Sequence, residues 1–393
     1  MAGRSKTAFA SRWKYWKLSE NALGQSYFLE SAIASKKDGI AISNMLKGSG
    51  LIDFLNVTRG HIETDPGLTD NIPIMGMASA PHLDVAGEVR AATKFPVFHA
   101  TRIQDVATAR YAVASGKVDM VGMTRAHLAD PHIVRKIMEN REHDIRPCTG
   151  ANYCLDRIYQ GAMAVCIHNP STGREETMPH DIPKAKEKKK IIVVGAGPAG
   201  LEAARVGVER GHEVIVLEAA AKVGGQILLT AQSPMRKEMM AIADWRLAQC
   251  EAKGVTFQYN TWAEADTVTA LKPDIVIIAT GGLPHTGSLK VGSDLVVTSW
   301  DILSGDVKPG SNVLMYDEAG DHSALQSAEI IAETGAKLEI MTRDRSFAPE
   351  VMAMSLTPHM RALQKHDVKF TVTYLLEKVR REGNQLVATI GSD

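Results

Sequence analysis

Only four cysteines occur in 393 residues, too few for a disulfide scaffold in a chain this long. Neither sign of charge dominates. Forty-five Lys and Arg balance 45 Asp and Glu, so the basic excess of a dedicated nucleic-acid binder is missing. No apolar run approaches the ~18 residues of a membrane span. With 45% hydrophobic and 23% charged residues the composition is that of a globular protein, not a disordered one. At about 150 residues per domain, the length suggests two or three domains. What is present is unevenly placed: three of the four cysteines crowd between Cys148 and Cys166. In a Cys-poor chain that clustering reads as metal or redox chemistry in a reducing, cytoplasmic compartment.

The first seventeen residues hold five basic side chains and no acid. They read as an unstructured extension or as an organelle transit peptide. From Asp38 the pattern becomes regular. GIAISNMLKGSG reads as an amphipathic helix closed by Gly, and LIDFLNV, FPVFHAT and VDMVGMT read as buried strands. DVATARYAVASGK forms a helix between the last two, and another helix follows Asp130. Strands alternating with helices imply a parallel sheet or barrel covered by helices. Residues 167–190 are rich in Pro, Thr and charge and end in a lysine run, which reads as a solvated interdomain connection. A second α/β domain begins at Lys190. Within it VLMYDEAGDHSALQSAEIIAETGAKLEIMT repeats a strand–turn–helix–strand shape.

The second domain opens on a dinucleotide fingerprint. The apolar strand Ile191–Val194 runs straight into Gly195-Ala196-Gly197-Pro198-Ala199-Gly200 and an Ala-rich helix. Gly195 permits the tight turn, Gly197 lets the backbone approach a pyrophosphate, and Gly200 lets helix and strand pack closely. The helix N-terminus then faces the phosphates. Glu218, about twenty residues further on at the end of HEVIVLE, is placed to bind adenosine ribose hydroxyls. Gly225 and Gln226 of a GGQ turn, and Thr280 and Gly281 of an ATGG turn, follow in the order of the two-dinucleotide-binding flavoprotein reductases. FAD is therefore the expected occupant. The later turn Asp317–Asp321 lies where such a fold inserts a second, NAD(P)H-binding unit, but it lacks the first two glycines and would repel phosphate.

Cys148, Cys154 and Cys166 are the candidate metal ligands. A C-x2-C-x2-C-x11-C pattern would supply four thiolates to an iron–sulfur cluster, but Ala151 stands in the second position. Three thiolates suffice for a 3Fe-4S cluster, or for a 4Fe-4S cluster with one non-cysteine ligand. The alternative is a lost cluster and merely buried thiols. Zinc lacks a complete tetrahedral set, His168 being the nearest addition. Cys250 lies in a helical pattern and reads as core.

From residue 38 onward the chain resembles one family, the large old-yellow-enzyme-like flavin and iron–sulfur oxidoreductases. These include 2,4-dienoyl-CoA reductase, trimethylamine dehydrogenase and the N-methylproline demethylases. IDFLNVTRGHIETD, FPVFHATRI and VDMVGMTRAHLADPHIV look like the sixth, seventh and eighth strands of the family's FMN-binding (β/α)8 barrel, with Thr124 where Gly is usual. CTGANYCLDRIYQG looks most like the demethylase branch. The resemblance implies a C-terminal part of a TIM barrel (38–145), a cysteine segment and linker (146–189), and a Rossmann-like FAD/NAD(P) domain (190–393) whose second nucleotide unit spans about 308–380. Both main domains are expected to be incomplete, the barrel because residues 1–37 resemble none of its first five strands, and the second because a further strand and a GD turn are expected after VATIGSD.

Arg102 and Arg125, at the C-terminal ends of two barrel strands, are suited to an FMN phosphate. By the same resemblance His61 and Asp65 would orient or polarise substrate. The expected function is an NAD(P)H-linked flavin oxidoreductase acting on N-methylated amines or enoyl thioesters. The alternative is a non-catalytic or weakly nucleotide-binding fragment. A small-molecule substrate is expected, with neither nucleic acid nor membrane as partner, and a homo-oligomer or a complementing chain would supply the missing strands.

Overall fold

Three short parallel strands organise the first unit of the computed structural model, which describes residues 36–392. The expectations for the N-terminal extension lie, but for its last two residues, outside those residues. The described residues divide into two compact units, 36–73 with 78–124, and 74–77 with 125–392.

In the first unit the order is α1 (Lys36–Gly48), β1 (Leu55–Asn56), α2 (Asp65–Asn71), α3 (Leu83–Thr93), β2 (Val97–His99), α4 (Val106–Ala114) and β3 (Met120–Val121). The strands pair in parallel in the order β1-β2-β3. Each is shorter than its apolar run, because the ladder closes after two or three residues. Leu55, Leu83, Ala86, Val89, Val97, Ala112 and Val118 form the core beneath them. The Asp105 side chain caps α4 by accepting from Thr108 N at 2.7 Å, which ends the preceding loop sharply.

In the second unit α5 (Thr124–Ala129, its first residue still in the first unit), α6 (Ile133–Met138) and α7 (Tyr153–Tyr159) precede the main sheet. Residues 167–189 carry no helix or strand, as expected. They are not uniformly solvated, however. His168, Asn169, Ser171 and Thr172 are buried, and Asn169 Nδ2 and Thr172 Oγ1 both donate to the Leu128 carbonyl, at 3.1 and 2.7 Å. Beyond this stretch the connection is largely exposed, over residues 174–179 and again at Lys184 and residues 186–189.

Next come β4 (Lys190–Val194), α8 (Pro198–Glu209), β5 (Glu213–Leu217), α9 (Ile227–Thr230), a 3-10 segment Pro234–Met240, α10 (Ala241–Ala252), β6 (Thr256–Gln258), α11 (Ala265–Ala270) and β7 (Ile275–Ile278). The four strands are parallel in the order β6-β5-β4-β7. Ile191, Ile192 and Val193 in β4 are at most 5% exposed, the continuous β-branched burial of a central parallel strand. After α12 (Ser299–Ser304), a second parallel sheet β10-β9-β8 is formed by β8 (Asn312–Asp317), α13 (His322–Glu333), β9 (Lys337–Thr342), α14 (Ala353–Leu363) and β10 (Val368–Val372). It realises the repeated strand–turn–helix–strand shape of the sequence. A hairpin of β11 (Leu375–Glu382) and β12 (Gln385–Gly391) follows. Among the described residues no helix is long and apolar enough to cross a membrane.

Candidate functional site

In an open parallel sheet, ligands settle beyond the strand C-termini where the strand order reverses. Here β4 pairs with β5 on one side and β7 on the other, so the reversal lies at the end of β4. The residues singled out for dinucleotide binding are brought together there. Gly195 has φ +97°, and a Cβ on it would stand 2.5 Å from the Ala279 carbonyl oxygen. At Gly200 a Cβ would stand 1.9 Å from the Gly195 oxygen, so this turn of α8 packs on the loop only without a side chain. Gly197 is different. Its backbone is ordinary, with φ −72° and ψ −178°, and a Cβ would meet nothing nearer than the Gly225 Cα at 4.0 Å.

The space over Gly197 is thus open while its neighbours are filled, the shape a pyrophosphate on the α8 N-terminus needs. Pro198 at the first helical position, followed by Ala199, presets the helix without using a donor. The GGQ turn closes from the side, where Gly224 N donates to the Ala196 carbonyl at 3.0 Å. Gln226 Nε2 donates to the Gly282 carbonyl at 3.2 Å, tying it to the Thr280–Gly281 turn beyond β7. Glu218 Oε2 accepts from Ala196 N at 2.6 Å and Oε1 from Ala220 N at 2.8 Å. It therefore fastens the glycine turn itself, a role the spacing alone does not reveal. A carboxylate has lone pairs beyond these two bonds, so further donors can still be met.

The cysteine segment adjoins this domain within the same unit. Gly150 N donates to Cys148 Sγ and His168 N to Cys166 Sγ, both at 3.4 Å. Burial, with the neighbouring Cys148 and Cys166, pushes the Cys154 thiol up to about 11, against the opposing charge of Arg125. Cys154 therefore lies within electrostatic reach of both Cys148 and Cys166. His168 Nδ1 bonds the Pro147 carbonyl at 2.8 Å and so joins the loops of Cys148 and Cys166. Ala151 packs on Met75, Ile227, Met239 and Ile242, an apolar contact in place of a ligand. Among the described residues no group of three or more His, Cys, Asp or Glu side chains is placed to hold a metal ion, Cys148, Cys154 and Cys166 included. A cavity of about 630 Å³ opens at Cys166, lined by Tyr153, Arg157, Met163, Val165 and Arg174 among others. Cys250 is fully buried and its thiol is pushed up to about 12 by burial, the inert core residue expected.

The other candidates are placed as follows. Arg102 is 4% exposed with φ +48°. Arg125 Nη1 donates to Asn152 Oδ1. His61 and Asp65 are both exposed in the first unit, the His61 ring lying against Gly67 of α2.

Sequence reasoning missed a buried charge network that joins the dinucleotide helix to the cysteine loops. Glu202 of α8 accepts from Arg205 Nη2 at 2.6 Å and from Arg246 Nε of α10 at 2.7 Å. Arg246 Nη2 donates in turn to the His168 carbonyl at 2.9 Å. The Arg146 guanidinium lies 4.4 Å from the Trp245 ring centre. Burial alone would raise the Glu202 carboxyl, but the arginines hold it down to about 2. Arginines recurring in apolar helices were the available signal.

A model of an NAD(P)-binding Rossmann-like domain matches residues 193–236. The probable N-methylproline demethylase of Rhizobium meliloti (strain 1021) is 67% identical over 377 residues, covering 95% of this chain and 56% of that protein. The multifunctional alkene reductase/demethylase OYE of Caballeronia cordobensis is 43% identical over 329 residues, covering 84% of this chain and 48% of its own. Among solved structures, a 2-naphthoyl-CoA reductase in complex with 2-naphthoyl-CoA superposes with a TM-score of 0.81 at 29% identity, over 91% of this chain and 53% of that one. The chain spans about half the length of the curated relatives it matches.

Proposed function

We propose, from the premise that this chain belongs to the old-yellow-enzyme-like flavin oxidoreductases, that it works as an NAD(P)H-linked flavin oxidoreductase. Its substrates are N-methylated amines or amino acids such as N-methylproline, or enoyl thioesters. The observation that carries this reading is the open space over Gly197, flanked by the GGQ and ATGG turns, in the same unit as Cys148, Cys154 and Cys166.

FAD fits that cradle. Gly195, Gly197, Pro198, Ala199 and Gly200 would hold its pyrophosphate, Glu218 its ribose, and Gly225, Gln226, Thr280 and Gly281 the chain beyond. Cys148, Cys154 and Cys166 would hold an iron–sulfur cluster of the 3Fe-4S or 4Fe-4S kind, the two amide donors at sulfur lowering the cost of thiolate charge. Arg102 and Arg125 are assigned to the FMN phosphate of a barrel half. The Arg125 fork has five donors, so its bond to Asn152 leaves that role open. His61 and Asp65 are assigned to substrate. When bound, these groups supply the hydride and single-electron chemistry. The protein's own part is to place them and set their surroundings.

A second reading has its own support. Ile275, Val276 and Ile278 of the edge strand β7 are 38–68% exposed. An apolar edge of that kind calls for cover, and without a complementing chain the protein would act as a nucleotide-binding fragment with no turnover. One preparation separates the readings. The anaerobically purified chain is expected to carry about one FAD together with iron, and Cys154→Ala is expected to lose the iron and keep the flavin. Flavin without iron in the wild type withdraws the cluster. A folded, colourless protein favours the fragment.

A further inference from the structure

The second parallel sheet lacks a glycine turn for phosphate, and the structure places carboxylates where that turn would be. Asp317 Oδ1 accepts from Gly320 N at 2.8 Å and Oδ2 from Ala348 N at 3.2 Å. Asp321 caps α13 by accepting from Ser323 N at 2.7 Å. Amides that could face a pyrophosphate are already bonded to acids of the same chain. If this unit meets a nucleotide, the phosphate must find its donors elsewhere.

Donors are available at the same helix end. Arg236, on the 3-10 segment Pro234–Met240, is 8% exposed. Its Nε is sealed from solvent without a hydrogen-bond partner, and among the described residues its guanidinium forms no ion pair. The carboxylates of Asp321 and Glu329 act on it only through space. Glu329 is committed inward: Oε2 accepts from Ser233 Oγ at 3.0 Å, and Oε1 bonds His359 Nδ1 at 2.5 Å. Beside Arg236 stands His322, the first residue of α13, whose Nδ1 is likewise sealed and without a partner. Burial, then the charges of Arg236 and His359, keeps this imidazole neutral.

A buried guanidinium whose Nε has no hydrogen-bond partner and which forms no ion pair is costly, and such groups are rare enough to require a reason. Two unsatisfied nitrogen groups at one helix N-terminus share a simple one, an anion that both would bind.

We propose that Arg236 and His322 form a phosphate-binding site at the N-terminal end of α13, by which the second unit holds a nicotinamide dinucleotide. The proposal rests on the NAD(P)H-linked reading above. It moves the phosphate ligand from the turn after β8 to an arginine contributed by the neighbouring sheet's segment.

The test uses the full FAD-loaded chain and calorimetric titration with NADH, NADPH, ADP and inorganic phosphate. In the wild type a dinucleotide and ADP are expected to bind. Arg236→Met is expected to weaken both at least tenfold while FAD content stays unchanged, with Arg236→Lys between the two. Removing an unpaired buried cation should also leave the ligand-free Tm of Arg236→Met equal or higher, and abolish the rise in Tm on adding nucleotide. Should the methionine variant not fold, Arg236→Gln carries the same expectation for binding.

Unchanged nucleotide affinity in a folded variant overturns the site. A lower ligand-free Tm with unchanged affinity overturns it too, and makes Arg236 a distant counterion of Asp321 and Glu329. Arg236-dependent binding of inorganic phosphate without any nucleotide would keep the anion site and remove the NAD(P)H reading. A wild type that binds none of the four probes removes both.

Discussion

Gly197→Val is expected to yield folded protein with its flavin affinity reduced at least a hundredfold, about 2.8 kcal/mol at 1.4 kcal/mol per tenfold. The backbone at Gly197 has dihedrals any residue adopts, and the nearest atom to a new Cβ is 4.0 Å away, so the apo fold has no reason to change. What the methyl groups fill is the approach of the pyrophosphate to the α8 N-terminus. Circular dichroism and bound-flavin absorbance read the two effects separately. Valine at Gly197 with full flavin content would remove the cradle from consideration. Gly200→Ala makes the control, because a Cβ only 1.9 Å from the Gly195 oxygen must displace the turn itself. That variant is expected to lose stability along with flavin.

Glu202→Gln is expected to cost about 3–5 kcal/mol of stability at neutral pH, the usual result of removing one partner from a buried ion pair. Arg246 is 5% exposed and would keep its charge with no carboxylate in contact, next to Arg205 and Arg146. The pH dependence has a definite sign. The folded carboxyl is held at about 2, below its ordinary 4.5, so its contribution is complete above 4.5 and fades as the pH falls toward 2. Urea unfolding of the wild type should therefore lose stability across that interval, and Glu202→Gln should show a shallower loss there. Equal acid slopes in the two proteins would mean the pair contributes nothing through this carboxylate. Because Arg246 also donates to the His168 carbonyl, the variant should hold the loop of Cys166 less firmly.

What could be read from the sequence was chemistry confined to short stretches. Gly195 to Gly200 and the three cysteines declare themselves by local spacing, and the structure gathers the glycine, GGQ and ATGG turns beyond the C-terminal end of the central strand β4. What could not be read depends on residues far apart in the chain. Arg236 is an ordinary helix arginine until α13 buries it, and Glu202 is an ordinary helix acid until Arg246 reaches it from α10. The 167–190 connection misled for a related reason. Its composition is polar, yet Asn169 and Thr172 use that polarity to bond the Leu128 carbonyl and bury their own backbone. The Asp-rich turn was legible as hostile to phosphate. That its carboxylates bond its own amides, leaving an arginine elsewhere to meet the anion, was not.

The burial of the His168–Thr172 stretch also decides where a protease can enter. A conventional linker is cut along its whole length, but here the five residues from His168 to Thr172 are packed and bonded, and the exposed chain begins only at Arg174. Trypsin should nick the native protein between Lys184 and Lys190, and more slowly after Arg174, whose carbonyl accepts from Thr177 N and Met178 N at 3.1 and 2.8 Å and so holds an exposed turn. The three cysteines would then travel together on the N-terminal fragment, and β4 with its glycine turn on the other. Sequenced digestion products would show that the seam of this chain lies some twenty residues beyond its last clustered thiol.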